Sequence, residues 1–291
     1  MPSLSKKFSA YIQLTRINRP IGIYLVLWPS LWALWLAAEG LPSIKLLLIF
    51  TLGAFLMRSA GCIINDYADR HIDGHIKRTK GRPLVTGHIS SAEALGLFAV
   101  FIVLAFLLVL LTNTLTVWLS LIAAGLACAY PFVKRHSHLP QVVLGAAFAW
   151  SIPMGFGATN ETLPDSVWLI YVTVLLWTVA YDTFYGMVNR EDDIKIGVKS
   201  TAILFGDKDK IATICLQVLV VLGLIFIGQK FDLSWIYGIS VVTASGLFVY
   251  QQYLIRKRER EACFAAFLNN NWVGLAIFVG IAGDYAFKLF N

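Results

Sequence analysis

Nine stretches of mostly apolar residues, each close to the ~20 that cross a bilayer core as a helix, occupy most of this chain. They fall at 20–38, 45–65, 92–111, 115–132, 139–158, 165–189, 210–228, 234–254 and 270–288. In hydrocarbon a segment must satisfy its own backbone N–H and C=O groups, so stretches of this kind are helices. The expected class is therefore an all-α membrane protein with nine transmembrane helices. Of the 291 residues 58% are hydrophobic and 14% charged, against ~45–50% and ~25% in a soluble domain. That balance excludes an ordinary soluble enzyme, and a disordered chain needs the opposite one.

Several local signals punctuate the spans. Thr112–Thr114 is a tight break and predicts a hairpin of the third and fourth spans. Pro153 should kink the fifth, since it lacks an N–H and crowds the preceding turn. Ser90-Ser91-Ala92-Glu93 reads as a capping box opening the third span, and Gly206-Asp207 as a similar start for the seventh. Cys62, Cys128, Cys215 and Cys263 share no metal-ligand spacing and read as small buried hydrophobes. The N-terminus lacks a cleavable signal pattern.

Charge sets the orientation. Twenty of the 24 Lys and Arg fall at the N-terminus or in the loops after spans two, four, six and eight. The positive-inside rule makes that side cytoplasmic, with the N-terminus inside and the C-terminus outside. The net charge of +7 is thus accounted for by topology and by anionic lipid or phosphate, and nucleic acid is not an expected partner.

Two acidic clusters break this basic pattern. Asn65, Asp66, Asp69 and Asp73 follow span two. Asp182, Tyr185, Asn189 and Asp193 close span six. At about 100° per residue, Asp66, Asp69 and Asp73 lie within about 60° of one another, and the second set forms a stripe about 80° wide. A solvated helix end would resemble its basic neighbours, whereas carboxylates stacked beside hydrocarbon repel one another and call for a cation. Oxygen ligands suit Mg²⁺, which uses one or two carboxylates plus phosphate oxygens, and no His/Cys set suits zinc. Beside the first cluster stand Lys77, Arg78 and Arg82, beside the second Lys195 and Lys199. Acid and base mixed on short loops suit a magnesium diphosphate. Asp66 and Asp182 are 116 positions apart, each closing the second span of a four-span block, which suggests a repeat over about 16–135 and 139–260 with a ninth helix left over, all within one domain.

These residues resemble the UbiA family of intramembrane aromatic prenyltransferases. Asn65-Asp66-x-x-Asp69-x-x-x-Asp73 is similar to its first aspartate-rich motif, and Asp182-x-x-Tyr185-x-x-x-Asn189-x-x-x-Asp193 to its second. The likeness extends over Arg16-Ile17-Asn18-Arg19-Pro20-Ile21-Gly22, Arg78-Thr79-x-x-Arg82-Pro83-Leu84, Tyr130-Pro131-Phe132, His138-Leu139-Pro140-Gln141, Lys195-Ile196-Gly197-x-Lys199-Ser200-Thr201 and Asn269-Asn270-Asn271. It is strongest to the branch that prenylates 4-hydroxybenzoate in ubiquinone biosynthesis.

The resemblance implies nine helices around a central cavity with cytoplasmic cap loops, in the bacterial inner membrane. The donor it implies is a polyprenyl diphosphate, octaprenyl among the choices. The acceptor is 4-hydroxybenzoate, prenylated ortho to its hydroxyl with Mg²⁺ as cofactor. Expected metal ligands are Asp66, Asp69, Asp73, Asp182, Asn189 and Asp193. Expected substrate contacts are Asn65, Arg78, Arg82, Tyr185, Lys195 and Lys199. Arg135, Arg16 and Arg58 are candidates for the acceptor carboxylate, Arg135 also for the diphosphate; a structural pair between Arg58 and a cavity aspartate is the alternative. Tyr67 and Tyr185 could face the allyl cation or simply anchor helix ends. Asn189 departs from the family aspartate, with Asp192 the nearer substitute and Glu191 the poorer, and Asn18 is a milder departure. Another aromatic acceptor, or an ion-coupled transporter, is the rival reading.

Overall fold

The computed structural model describes residues 4–71, 73–75 and 79–290, and among these there is no β-strand. A short helix α1 (Leu4–Leu14) precedes α2 (Ile21–Ala38), α3 (Ile44–Asp69), α4 (Ser91–Val109) and α5 (Thr114–His136). Then come α6 (Pro140–Ala149), α7 (Ser151–Asn160), α8 (Ser166–Ile196), the single turn α9 (Thr201–Phe205), α10 (Asp209–Lys230), α11 (Trp235–Ile255) and α12 (Arg260–Phe290). Among the described residues eight helical segments are long and apolar enough to cross a membrane, α6 and α7 counting as one and α9 with α10 as another. The expected eighth span is the helix α11, but it is not one of these eight. Its Tyr, Ser, Thr and Gln residues dilute the apolar content.

Caps follow the sequence where the chemistry is local. Ser90 and Glu93 form the full capping box on α4. Pro153 breaks the fifth span into α6 and α7 at Trp150, because a prolyl ring cannot donate to the carbonyl four residues back. Gly206 does not open α10; with φ of 54° it closes α9, and α10 begins at Asp209.

Helix α8 is central, with 67% of its apolar stretch buried by other helices against 11% for α4. Its Trp177 stacks on Trp32 of α2 at 5.3 Å, and Gly145 of α6 lets that helix approach the Leu175 carbonyl, where a Cβ would sit 2.9 Å away. Buried amides hold the far side: Gln217 donates to Gln251 (2.8 Å) and Gln251 to Asn269 (2.9 Å). Asn270 and Asn271 accept from Trp177 and Trp28. Cys62 and Cys263 are buried, but Cys128 and Cys215 lie on the outer surface and are not core residues.

The expected hairpin of α4 and α5 exists in connectivity, with Asn113 capping α5. In space the two helices splay: α4 packs mainly on α3, and α5 mainly on α6. The gap between them is a cavity.

Candidate active site

Helices α3 and α8 overrun their apolar stretches by one or two turns, and the overruns carry the aspartates. Asp66 and Asp69 ride the last turn of α3, which ends at Asp69. The continuous acidic helix expected through Asp73 is therefore broken. Asp73 opens a separate 3₁₀ turn, Asp73–His75, and reaches the site because the chain folds back: Thr79 Oγ1 donates to its carbonyl at 2.8 Å. On α8 the helix runs unbroken through Asp182, Tyr185, Asn189 and Asp193.

All of these side chains line one cavity of about 620 Å³, together with Asn65, Arg16, Arg58, Arg82 and Lys199. Asp66, Asp69, Asp73 and Asp182 are buried. Arg82 Nη1 bridges Asp66 (2.9 Å) and Asp73 (2.6 Å). Arg16 Nη2 donates to both Asp66 oxygens, at 3.0 and 2.8 Å. Burial pushes the Asp73 carboxyl above the usual carboxylate range, against the pull of Arg82. Burial also works against the charge on Arg82, but Asp66 and Asp73 outweigh it and hold the guanidinium more firmly charged than usual.

Two expected contacts lie elsewhere. Arg135 is exposed and donates to the Ala68 carbonyl at 2.7 Å, capping the end of α3 from outside the cavity. Lys195 is exposed on the outer side of the last turn of α8. Arg78 falls outside the described residues. Asp192 does not take up the charge missing at Asn189: it and Glu191 point outward to Arg260, at 3.1 and 2.7 Å. Tyr67 faces away too, its ring under the Arg70 guanidinium at 4.1 Å.

Other lining residues carried no assigned role. Tyr130, Gln141, Tyr181, Phe264 and Phe267 join the wall, and Tyr185 packs against Phe267 at 5.0 Å between ring centroids. Tyr130 and Gln141 sit in segments noted for their likeness to the family; Phe264 and Phe267 have no sequence signal beyond their three-residue spacing.

A second cavity of about 500 Å³ adjoins the first, walled by α3, α4, α5 and the α6–α7 span. Its lining is almost wholly apolar, with Ile49, Phe50, Met57, Phe106 and Leu121 among it. The two share Arg58, Gly61, Tyr130, Leu144 and Phe148. Arg58 thus stands at the neck between a charged chamber and a greasy one. Its Nη1 donates to Cys62 Sγ at 2.8 Å, its Nε is buried without a hydrogen-bond partner, and Phe148 lies 6.0 Å from its guanidinium carbon.

The profile of the UbiA prenyltransferase family matches residues 26–275. The chain belongs to that family. A relative from Saccharophagus degradans, named 4-hydroxybenzoate octaprenyltransferase, is 60% identical over 275 residues, covering 94% of this chain and 92% of the relative. One of the same name from Hahella chejuensis is 56% identical over 292 residues, covering 99% and 97%. The apo structure of a UbiA homologue from Aeropyrum pernix K1 superposes with a TM-score of 0.80 at 25% identity, covering 90% of this chain and 97% of that one. A UbiA homologue from Archaeoglobus fulgidus, solved bound to GPP and Mg²⁺, shares the fold with a TM-score of 0.69 at 17% identity, covering 94% and 99%.

Oxygen donors dominate the polar chamber, as a hard cation requires. Among the described residues no three His, Cys, Asp or Glu side chains are gathered into a ready-made metal cage.

Proposed function

We propose that this UbiA-family enzyme transfers a polyprenyl group, octaprenyl by the naming of its relatives, from polyprenyl diphosphate to 4-hydroxybenzoate, as a step of ubiquinone biosynthesis. The allylic C–O bond breaks, a C–C bond forms at the ring carbon ortho to the hydroxyl, that carbon loses its proton, and diphosphate is released. The observation that carries this reading is the junction of the two cavities. A chamber lined by carboxylates and guanidiniums adjoins an apolar one across a shared wall, which matches a molecule with a charged head and a water-insoluble tail.

The residues divide the work by position. Asp66, Asp69, Asp73, Asp182, Asn189 and Asp193 offer oxygens to Mg²⁺, and Asn65 stands among them. Bound there, Mg²⁺ stabilises the negative charge that grows on the diphosphate as it leaves. Arg16, Arg82 and Lys199 offer donors to the phosphate oxygens where that charge develops. Arg58 makes no hydrogen bond to a carboxylate among the described residues, Asp182 facing it only at longer range, and takes the acceptor's carboxylate. Tyr185, Tyr130 and the phenylalanine wall keep water from the allyl cation. The apolar cavity between α4 and α5 holds the prenyl tail and admits it from lipid.

We take α11 as a further crossing, the eighth in chain order, so that two four-span blocks at about 16–135 and 139–260 form one domain with α12 as the ninth. The basic loops then lie in the cytoplasm with the chamber beneath them, and the C-terminus is periplasmic in a bacterial inner membrane. Incubating purified protein with Mg²⁺, 4-hydroxybenzoate and a set of polyprenyl diphosphates, followed by mass spectrometry, tests the reaction. A prenylated 4-hydroxybenzoate is expected; no prenylated product with any of the donors would overturn the acceptor or the reaction.

A further inference from the structure

Among the described residues the walls of the polar chamber carry both signs of charge: the carboxyl groups of Asp66, Asp69, Asp73, Asp182 and Asp193 face the basic side chains of Arg16, Arg19, Arg58, Arg82 and Lys199. Two of the cations occupy the very oxygens a metal would take. Both Asp66 oxygens accept from Arg16, and Arg82 lies against Asp66 Oδ1 and Asp73 Oδ2. Arg16 does this from a left-handed backbone, φ 59°, a conformation that costs a non-glycine residue of order 1 kcal/mol. The turn between α1 and α2 is thus bent so that Arg16 reaches across to α3.

This arrangement opposes each ligand arriving alone. A lone divalent cation brings two positive charges to buried carboxylates that already hold guanidiniums and strips those guanidiniums of their partners, which is costly at low dielectric. A lone diphosphate creates a negative excess next to five carboxylates. Entering together the two nearly cancel, and the displaced guanidiniums find new acceptors in the phosphate oxygens.

We propose that Arg16 and Arg82 are place-holding counter-ions that exclude Mg²⁺ until diphosphate accompanies it, then pass from the aspartates to the phosphate. The proposal rests on the diphosphate reading above and adds an order to it: cation and diphosphate bind with strong positive coupling, whose source is the swap of guanidinium partners. Removing either arginine therefore shifts the two affinities in opposite directions. A residue that merely supported the fold would weaken both.

Isothermal titration calorimetry on the purified protein in detergent provides the test, with MgCl₂ alone and with MgCl₂ plus inorganic pyrophosphate as probes. Wild type should bind Mg²⁺ at least about tenfold more weakly without pyrophosphate than with it, within the usual span of coupling. Arg82→Gln and Arg16→Gln should each gain several-fold in affinity for Mg²⁺ alone and lose about tenfold for pyrophosphate in the presence of Mg²⁺. Arg16 lies in a turn with its side chain 26% exposed, so Arg16→Gln carries the test should Arg82→Gln fail to fold. Variants that bind Mg²⁺ alone no better than wild type, in a protein that still binds Mg²⁺ with pyrophosphate, would overturn the place-holder role and leave the prenyl-transfer reading standing. Wild type that binds neither probe would overturn both.

Discussion

Arg58 and Cys62 face each other one turn apart on α3, with Nη1 2.8 Å from Sγ. A thiol is a weak acceptor, so this contact leaves most of the cation's hydrogen-bonding capacity unused at the neck of the two cavities. If Arg58 takes the acceptor's carboxylate, Arg58→Ala should raise the KM for 4-hydroxybenzoate by ~10–100-fold, the worth of one charged hydrogen bond. The KM for the prenyl donor should change far less. An equal rise in both would remove the assignment.

The guanidinium has its room because residue 22 is glycine. A Cβ there would fall 2.6 Å from Arg58 Nε and 2.7 Å from Nη2. The obstructed atoms are the far end of a flexible side chain, so Gly22→Ala should displace the guanidinium while leaving the fold in place. A several-fold higher acceptor KM with a nearly unchanged melting temperature is the expected outcome. Unchanged kinetics would mean that the position of Arg58 does not matter.

The two acidic stripes should be jointly required. Asp69→Ala and Asp193→Ala should each abolish Mg²⁺-dependent transfer, yet elute from size exclusion like wild type; full activity in either would remove that residue from the metal site. At Asn189 no neighbouring acid replaces the missing charge, since Asp192 and Glu191 are held by Arg260. Asn189→Asp should therefore lower the Mg²⁺ concentration needed for half-maximal rate. Identical behaviour would show that position 189 is not a charge-critical ligand.

Stability at the basic face depends on a buried carboxylate clasp. Asp209 is fully buried and accepts from Arg190 at 3.0 Å and Arg258 at 2.8 Å. It ties the end of α8 to the start of α10 and to the turn before α12. Asp209→Ala leaves two cations facing each other and should cost ~3–5 kcal/mol, read as a lowered unfolding midpoint. A loss below about 1 kcal/mol, the value of an exposed pair, would show that the clasp contributes nothing special.

Eight of the nine expected spans and the sites of both acidic clusters are legible in the sequence because they depend on local composition and on helical period. The capping box at Ser90 and Glu93 is likewise local, and the break ahead of Pro153 follows from one residue's covalent chemistry. What the sequence did not disclose depends on how the chain turns in space. The spacing of Asp73 predicts a continuation of α3, but the helix stops at Asp69 and a fold-back brings Asp73 into the chamber. Arg135 and Lys195 carry the right charge beside the expected motifs, yet both are exposed and neither lines the chamber. The splaying of α4 from α5, which opens the apolar cavity, leaves little periodic trace because α4 is apolar all round and has no polar face to orient it. Phe264 and Phe267 enter the wall from α12, a partnership set by packing alone.

The central claim is that carboxylates from α3 and α8 grip one metal diphosphate in one chamber. Anomalous diffraction from crystals grown with Mn²⁺ and pyrophosphate tests it most directly. The account predicts metal peaks inside the chamber bounded by Asp66, Asp69, Asp182 and Asp193, with pyrophosphate density between the two helix ends and Arg16 and Arg82 turned toward it. Metal bound outside that chamber, or pyrophosphate lodged against one helix end while the other stays ion-paired to arginine, would contradict it.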